Sequence, residues 1–296
     1  MNKLLLAAPA ANAEPVRPRQ PNRMLGRLLR DKTTVGAMTV FLLIVAMAVL
    51  APWITTGEPY SGSALERLKP IGSPGHLLGT DELGRDMWTR LAYGARLSLI
   101  SGAAPVLIAL VVGGGLGVLA GYAGGRVNAI IMRTMDIFYA FPAVLLAIAV
   151  CAVMGAGLDS TIISLGIVFV PSLVRVTETA TTRIRSMDYI DAARASGVSD
   201  LQIILHQVLP NIIGPVLVYA ASLASLAIIL AAGLSFLGLG MPPPNADWGQ
   251  MLNSLRQAIY VEPWLAALPG LMIFITSACF NLMSDGLRSA MDVQDG

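Results

Sequence analysis

The chain has 296 residues, of which 55% are hydrophobic and only 13% are charged, and its mean hydropathy is +0.69. A soluble domain carries about 25% charged residues because its surface must stay hydrated. This composition excludes an ordinary soluble protein and predicts an all-α integral membrane protein. The formal net charge of +2 gives no indication of a nucleic-acid partner.

Long runs without a charged residue predict the membrane-spanning helices. Crossing about 30 Å of hydrocarbon requires about 20 apolar residues, each rising about 1.5 Å. Five runs reach this length, and Ser160–Val174 becomes a sixth if Arg175 and Glu178 lie among the headgroups. We therefore predict about six spans, in chain order near 35–55, 97–122, 132–154, 160–180, 212–240 and 264–286.

The distribution of Lys and Arg predicts the orientation. Segments on the side of the N-terminus carry fourteen of these residues, and segments on the other side carry six. The positive-inside rule therefore places both termini in the cytoplasm. We expect a cytoplasmic tail (1–32) and a transmembrane domain (33–296) with an external loop (56–96) and a cytoplasmic segment (186–211).

The first thirteen residues, MNKLLLAAPAANA, allow two interpretations. Their basic start, short apolar stretch and Ala-Asn-Ala ending resemble a signal peptide. However, Pro9 interrupts the apolar stretch, and the basic segment that follows is expected to remain inside. We therefore expect a retained, disordered tail.

Glycines recur every fourth residue along the second predicted span. Because this spacing places residues without side chains on one helix face, it predicts a seam where another helix approaches closely. The seam consists of Gly113, Gly117, Gly121 and Gly125.

Charged residues near the predicted ends of the spans occur in pairs of opposite sign, three residues apart. Such pairs meet on one helical turn and reduce the cost of placing a charge close to lipid. We interpret them as interfacial anchors rather than a proton pathway. The pairs are Arg133/Asp136, Arg175/Glu178 and Asp285/Arg288.

Two features on the predicted external side indicate surface structure. Asp81 and Arg85 lie four residues apart and predict a short helix along the surface. Trp248 follows a Pro-rich stretch and suits the depth of the headgroups. We single out Trp248 as a candidate for an outer gate.

Sequence features of an enzyme are missing. No Gly-Lys dipeptide occurs, so the chain has no P-loop. His76 and His206 fall on opposite sides of the predicted membrane, and neither HExxH nor G-x-S-x-G is present. Cys151 and Cys279 lie within predicted spans and are too few for a metal site. We predict no catalytic residue, no metal ligand and no cofactor bound by this chain.

The cytoplasmic segment has the most informative pattern. Asp191 to Asn211 reads DAARASGVSDLQIILHQVLPN, with apolar residues at helical intervals interrupted at Gly197. Glycine allows the backbone to turn, and Pro210 is expected to stop the second helix before the fifth span. The residues alone are compatible with an ordinary amphipathic surface loop or with a helix–turn–helix that presents small residues.

This stretch resembles the EAA loop of ABC importer permeases, in which Glu-Ala-Ala is followed by Gly and then by Leu-Pro. The matching positions are Asp191, Ala192, Ala193, Gly197, Leu209 and Pro210. Asp191 replaces the usual Glu, and Gln207 replaces the usual Ile. The resemblance implies that these residues couple the chain to an ATP-binding subunit.

Four further stretches resemble the C-type permease subunit of the dipeptide, oligopeptide and nickel ABC importers. They are LGTDELGRD (78–86) with RLAYGARLSL (90–99), FYAFP (138–142), LSFLGLGMPPPNADWGQML (234–252) and FNLMSDGLRSAMD (280–292).

This resemblance implies a type I ABC importer permease fold in a bacterial inner membrane. The implied partners are a homologous B-type permease, two ATP-binding subunits that use ATP and Mg²⁺, and an external solute-binding protein. A secondary transporter or channel is the alternative, although a secondary carrier would more often show a charge at mid-bilayer. The sequence does not specify the substrate, and we favour peptides because they are frequent substrates in this family.

Overall fold

The computed structural model describes residues 26, 28–55 and 57–292, and over these ranges the protein is helical, without a β-strand. The predicted tail therefore lies almost wholly outside the described residues. Short 3₁₀ turns occur at Ala64–Glu66 and Ala258–Tyr260. The helices are α1 (Lys32–Ile54), α2 (Met87–Ala123), α3 (Gly125–Tyr139), α4 (Ala143–Met154), α5 (Leu158–Arg185), α6 (Asp188–Ala195), α7 (Asp200–Ile203), α8 (Leu209–Phe236), α9 (Trp248–Ser254) and α10 (Pro263–Asp292).

The predicted spans are confirmed in number and kind. Within the described ranges, five helical stretches are long and apolar enough to cross a membrane, and the bent pair α3–α4 makes a sixth if it is one span. The five are α1, α2, α5, the continuous stretch from α7 through α8, and α10. With six crossings, both ends of the described chain lie on one side of the membrane.

The third predicted span is not one straight helix. Its residues form α3 and α4, which meet at an angle of 86°. Pro142 precedes α4 and has an extended ψ of 125°. Proline cannot donate a backbone hydrogen bond and pushes the preceding residue out of helical geometry, so the chain bends at this point.

The second span starts earlier than predicted, at Met87 instead of near residue 97. Asp86 caps this helix, because its carboxylate accepts hydrogen bonds from the Thr89 amide at 2.8 Å and from the Thr89 hydroxyl at 2.7 Å. Ten residues of the predicted external loop are consequently helical. Arg90 and Arg96, whose charges suggested a loop, lie within α2.

Close packing of α2 against α5 forms the centre of the bundle. A Cβ on Gly117 would lie 2.6 Å from Thr177 Cβ, and one on Gly121 would lie 2.7 Å from Thr181 Cβ. Gly113 faces the Val170 carbonyl in the same way. Three of the four predicted glycines therefore form the seam. Gly125 does not belong to it, because it begins α3 with a φ of +50° and has open space beside it.

On the predicted external side, the Asp81–Arg85 pair forms as expected, with Nε and Oδ2 separated by 2.6 Å. The pair is buried and lies on a turn rather than on a surface helix, since Asp81 accepts hydrogen bonds from the Leu83 and Arg85 amides. Arg90 Nε lies 3.2 Å from the same carboxylate oxygen, and Arg90 Nη1 donates to the Pro59 carbonyl at 2.8 Å. These contacts attach the external segment to α2.

Charges at the opposite ends of the spans are arranged differently from the prediction. Arg175 on α5 pairs with Asp136 on α3 at 2.7 Å and lies over the Tyr139 ring. Glu178 instead accepts a hydrogen bond from Asn128 Nδ2 at 2.6 Å. The expected Arg175/Glu178 pair is therefore replaced by contacts between helices, which join α3 to α5.

Candidate functional site

The short helix α6 presents a polar face and small side chains on the predicted cytoplasmic face. Ile190 is its only buried residue. Asp191 and Ala192 are exposed, and Arg194 Nη1 lies 3.4 Å from the Asp191 carboxylate. Ile190, with Ala193 beside it, therefore holds this helix against the bundle and leaves Asp191 and Ala192 on the outer surface.

A Schellman motif ends α6 at the predicted glycine. Gly197 has a φ of +81°, its amide donates to the Arg194 carbonyl at 3.0 Å, and the Val198 amide donates to the Ala193 carbonyl at 3.2 Å. The motif also places Val198 and Ala193 in the same apolar cluster. Because a left-handed backbone is unfavourable for residues with a Cβ, glycine determines the direction in which the chain leaves α6.

The second half of the segment is continuous with the fifth span. Ser199 and Gln202 form a capping box at the start of α7. The prediction that Pro210 stops this helix is wrong, because the helical stretch extends from Asp200 to Phe236. A π-turn, Ile204–Val208, precedes the proline. Its wider hydrogen-bond register accommodates a residue that lacks an amide proton, and Pro210 occupies the first turn of α8, where proline is tolerated.

An apolar cluster supports the coupling segment, by which we mean residues 186–211. Its buried residues come from α2, α6, α7, the π-turn and α8, so it joins both halves of the segment to the bundle. The members are Tyr122, Ile190, Ile203, Val208 and Ile212. Burying one such side chain contributes about 1.5–3 kcal/mol to the stability of the fold. The cluster therefore fixes the segment on the bundle.

Tyr122 adds a polar attachment at the end of α2. Its hydroxyl donates to Asp200 Oδ1 at 2.5 Å, and the Arg194 guanidinium lies 5.2 Å from the ring centroid. The hydrogen bond between Arg194 and Tyr122 raises the pKa of Arg194 above its ordinary value. Tyr122 therefore contacts both α6 and α7, on either side of the Gly197 bend.

The structure brings the predicted coupling residues into two groups. Asp191, Ala192 and Ala193 lie on α6, next to the bend at Gly197. The remaining two lie at the start of α8, where Leu209 packs against the supporting cluster and Pro210 is exposed. Sequence reasoning missed Tyr122, Arg194 and Asp200, which hold the segment in place. The aromatic residue at the cytoplasmic end of the second span was the one available signal.

Trp248 lies elsewhere, at the start of α9. It is fully buried, and its indole Nε1 donates to the Leu91 carbonyl of α2 at 3.1 Å. A Cβ on Gly94 would lie 3.2 Å from the indole, so the glycine makes room for it. The ring packs inside the subunit, and its position at the depth of the headgroups stays a prediction. Its role in an outer gate stays a prediction.

Within the described ranges, no three His, Cys, Asp or Glu side chains are placed to hold a metal ion. The two cysteines are buried and free. Cys151 Sγ lies 3.2 Å from Ser164 Oγ, between α4 and α5. These residues act as packing groups in the bundle.

A bundle of apolar spans with a bent, braced segment on one face is the architecture of a multi-pass membrane protein. Comparisons with known proteins agree. Residues 113–293 match the model of the binding-protein-dependent transport system inner membrane component, and residues 22–70 match the N-terminal transmembrane domain of oligopeptide transport permease C. The chain belongs to this family of permease subunits, and the resemblance to its C-type members is confirmed.

Individual relatives extend over almost the whole chain. A di/tripeptide transport system permease protein, DppC, of Pseudomonas aeruginosa is 42% identical over 290 residues, which cover 96% of each chain. A glutathione transport system permease protein, GsiD, of Pectobacterium atrosepticum is 39% identical over 266 residues, covering 90% of this chain and 88% of the relative. Both names describe permease proteins of transport systems, and this chain is accordingly a transport permease subunit.

The fold is also similar to a solved structure, the inward-facing MetNI methionine ABC transporter. The TM-score is 0.57 at 18% identity, and the match covers 68% of this chain and 96% of the other. This similarity shows a shared ABC permease architecture. Family membership implies a second permease, ATP-binding subunits and a solute-binding protein in general terms, and it identifies a multi-pass membrane protein.

Proposed function

We propose that this chain is the C-type permease of a bacterial inner-membrane ABC importer for peptides or similar small solutes. It forms half of the translocation pore together with a homologous B-type permease. Two ATP-binding subunits hydrolyse ATP with Mg²⁺ as the metal cofactor, and an external solute-binding protein delivers the substrate. The coupling segment transmits the movement of one ATP-binding subunit to the spans.

The main support for this mechanism is the geometry of α6. Its outer face carries Asp191 and Ala192, which are exposed, whereas Ile190 anchors the opposite face. A helix face with small side chains fits into a groove on a partner protein. The Schellman bend fixes the direction of α6 relative to the helix that follows it. Because the segment is attached to α2 through Tyr122 and is continuous with α8, force applied to α6 reaches two spans.

Support for a peptide substrate comes from the relatives. Several are named for dipeptide, di/tripeptide or glutathione transport, and all of these substrates contain peptide bonds. The residues described on the predicted external face offer no separate signal for one particular solute. We therefore propose a peptide-like substrate class and leave the choice within it to the solute-binding protein.

Replacing Ala192 with Trp tests the coupling proposal. The bulky ring on α6 is expected to abolish solute uptake and to reduce co-purification of the ATP-binding subunits at least tenfold, while the permease still reaches the membrane. Leu65→Trp is the matched control, because Leu65 is 95% exposed on the predicted external side. Full uptake by Ala192→Trp would overturn the proposal.

The alternative of a secondary transporter or channel makes a different prediction. Such a protein would transport solute in membrane vesicles that contain no ATP, driven by an ion gradient. Under our proposal, uptake requires ATP inside the vesicle and persists when ionophores remove the gradients. The family match favours the ATP-driven function.

A further inference from the structure

A cavity of about 470 Å³ opens beside the coupling segment, where α2 and α5 end. Two arginines from different elements line it: Arg185 is the last residue of α5, and Arg194 belongs to α6. The rest of the lining consists of Tyr122, Ala123, Asp200 and Ile204. Because both spans end here, the cavity lies at the predicted cytoplasmic edge of the bilayer.

The local backbone makes room for the first arginine. Gly124 connects α2 to α3 with a φ of +65°, and a Cβ at this position would overlap Nη1 of Arg185. The guanidinium therefore lies against the turn at Gly124 instead of extending freely into solvent. Throughout the part of the chain that the structure describes, no carboxylate lies within ion-pair distance of Arg185.

The six lining residues include two arginines and one carboxylate. Asp200 is the one carboxylate among these lining residues, and it already accepts the Tyr122 hydroxyl. Arg194 forms a long ion pair with Asp191, at 3.4 Å, and its guanidinium also lies over the Tyr122 ring. Arg185 is therefore the lining guanidinium that has no ion-pair partner among the described residues, and the cavity is suited to an anion with several oxygen acceptors.

We infer that this cavity binds the phosphodiester headgroup of an anionic phospholipid from the cytoplasmic leaflet. Basic pockets between the cytoplasmic ends of spans recognise such headgroups, and the leaflet attracts cationic residues electrostatically. Ala123 and Ile204 add apolar surface where the glycerol portion would lie. Arg185 and Arg194 would contact the same phosphate, so the lipid would connect α5 to α6 and hold the coupling segment in place.

Native mass spectrometry of the purified full-length chain tests the inference. The probes are dioctanoyl phosphatidylglycerol, dioctanoyl phosphatidylcholine and inorganic phosphate. We expect one tightly retained phosphatidylglycerol, with at least tenfold weaker binding of the other two. In Arg185→Gln the dissociation constant for phosphatidylglycerol should rise about tenfold, equivalent to about 1.4 kcal/mol. Arg185→Lys keeps the charge but not the fork geometry, and should lose about threefold.

Arg183→Gln is the matched control, because Arg183 is exposed in the last turn of the same helix and does not line the cavity. It should retain the affinity of the natural chain. Equal retention of both phospholipids, or an Arg185→Gln variant with unchanged affinity, would overturn the inference. If inorganic phosphate bound as tightly as phosphatidylglycerol, the cavity would be a site for free anions, and the proposal of a lipid ligand would be overturned. If lipid binding were unselective, and the ATP-binding subunits no longer co-purified with Arg185→Gln when expressed together with it, the arginines would belong to that protein contact and the inference would be overturned.

Discussion

The hydroxyl of Tyr122 and the carboxylate of Asp200 are 2.5 Å apart, although 78 positions separate them in the chain. One residue ends a membrane-spanning helix, and the other begins α7 in the coupling segment. Their hydrogen bond is the most direct polar link between the bundle and the surface that we propose for the ATP-binding subunit.

Tyr122→Phe should loosen the coupling segment without unfolding the bundle. A hydrogen bond to a charged group contributes about 1.5–3 kcal/mol, so local opening should become about tenfold or more frequent. Hydrogen exchange of residues 188–208 in the purified protein would measure this change. Tyr260→Phe is the control, because Tyr260 is 90% exposed at a distant site. Unchanged exchange in Tyr122→Phe would show that the link does not stabilise the segment.

The left-handed backbone at Gly197 predicts a graded response to substitution. Gly197→Ala should destabilise the bend by about 1–2 kcal/mol, because a Cβ is unfavourable at a φ of +81°. Gly197→Asn should be tolerated better, since asparagine enters this region more readily. Coupled ATP hydrolysis in reconstituted transporter, together with hydrogen exchange of α6, would rank the variants. Equal behaviour of Ala and Asn would contradict a conformational requirement.

The seam between α2 and α5 can be tested at adjacent glycines. Gly117→Ala should destabilise the protein by about 1–3 kcal/mol, because the added Cβ would lie 2.6 Å from Thr177 Cβ. Gly114→Ala is the matched control, since nothing lies within 4 Å of a Cβ at that position. Unfolding in mixed detergent micelles would give both values. If Gly114→Ala proved the more harmful change, the helix pairing would be wrong.

Trp248→Ala should destabilise the predicted external side of the subunit by about 3–5 kcal/mol, because it removes a fully buried ring. Trp264→Ala is the control, since that side chain is 73% exposed. A loss of stability would not test the outer-gate prediction, which concerns leakage of solute. Trp248→Phe should raise leakage of solute through the resting transporter. If the resting transporter with this substitution does not leak, Trp248 has a packing role and no gate role.

Acid should weaken the loop between α1 and α2, which is predicted to be external, through Glu66. Its hydrogen bond from Lys69, followed by that from His76, lowers the pKa of the Glu66 carboxyl below its ordinary value of 4.5. Since the folded pKa is the lower one, the stabilising effect is complete above pH 4.5 and is lost as the pH falls through the folded pKa. Glu66→Gln should therefore flatten the pH dependence of loop protection below pH 4.5. An equally steep profile in this variant would refute the assignment.

The spans could be predicted from the sequence because hydrocarbon excludes unpaired charge over a fixed length. The same reasoning placed the start of α2 ten residues late, since it treated Arg90 and Arg96 as loop residues. Both side chains donate to distant backbone carbonyls, Arg90 to Pro59 and Arg96 to Ala48. Such partners are set by tertiary contacts, which local spacing does not reveal.

The candidate site was also predictable from the sequence only where the signal is local. The bend at Gly197 was predictable, because a glycine between two helical patterns is a local signal. The contact of Tyr122 with Asp200 was not predictable, because it depends on where two spans end in space. The bend at Pro142 was missed although the proline is a local signal, since the apolar run around it was long enough to suggest one uninterrupted span.

The stretch from Asp200 to Phe236 contains 37 residues and extends about 55 Å at 1.5 Å per residue. At its far end, the Phe236 carbonyl accepts a hydrogen bond from Asn253 on α9, the helix that Trp248 begins. If the end of this stretch at Asp200 tilts, the opposite end at Phe236 is displaced as well. This continuous helical stretch can thus transmit a movement from the predicted cytoplasmic side of the membrane to the predicted external side.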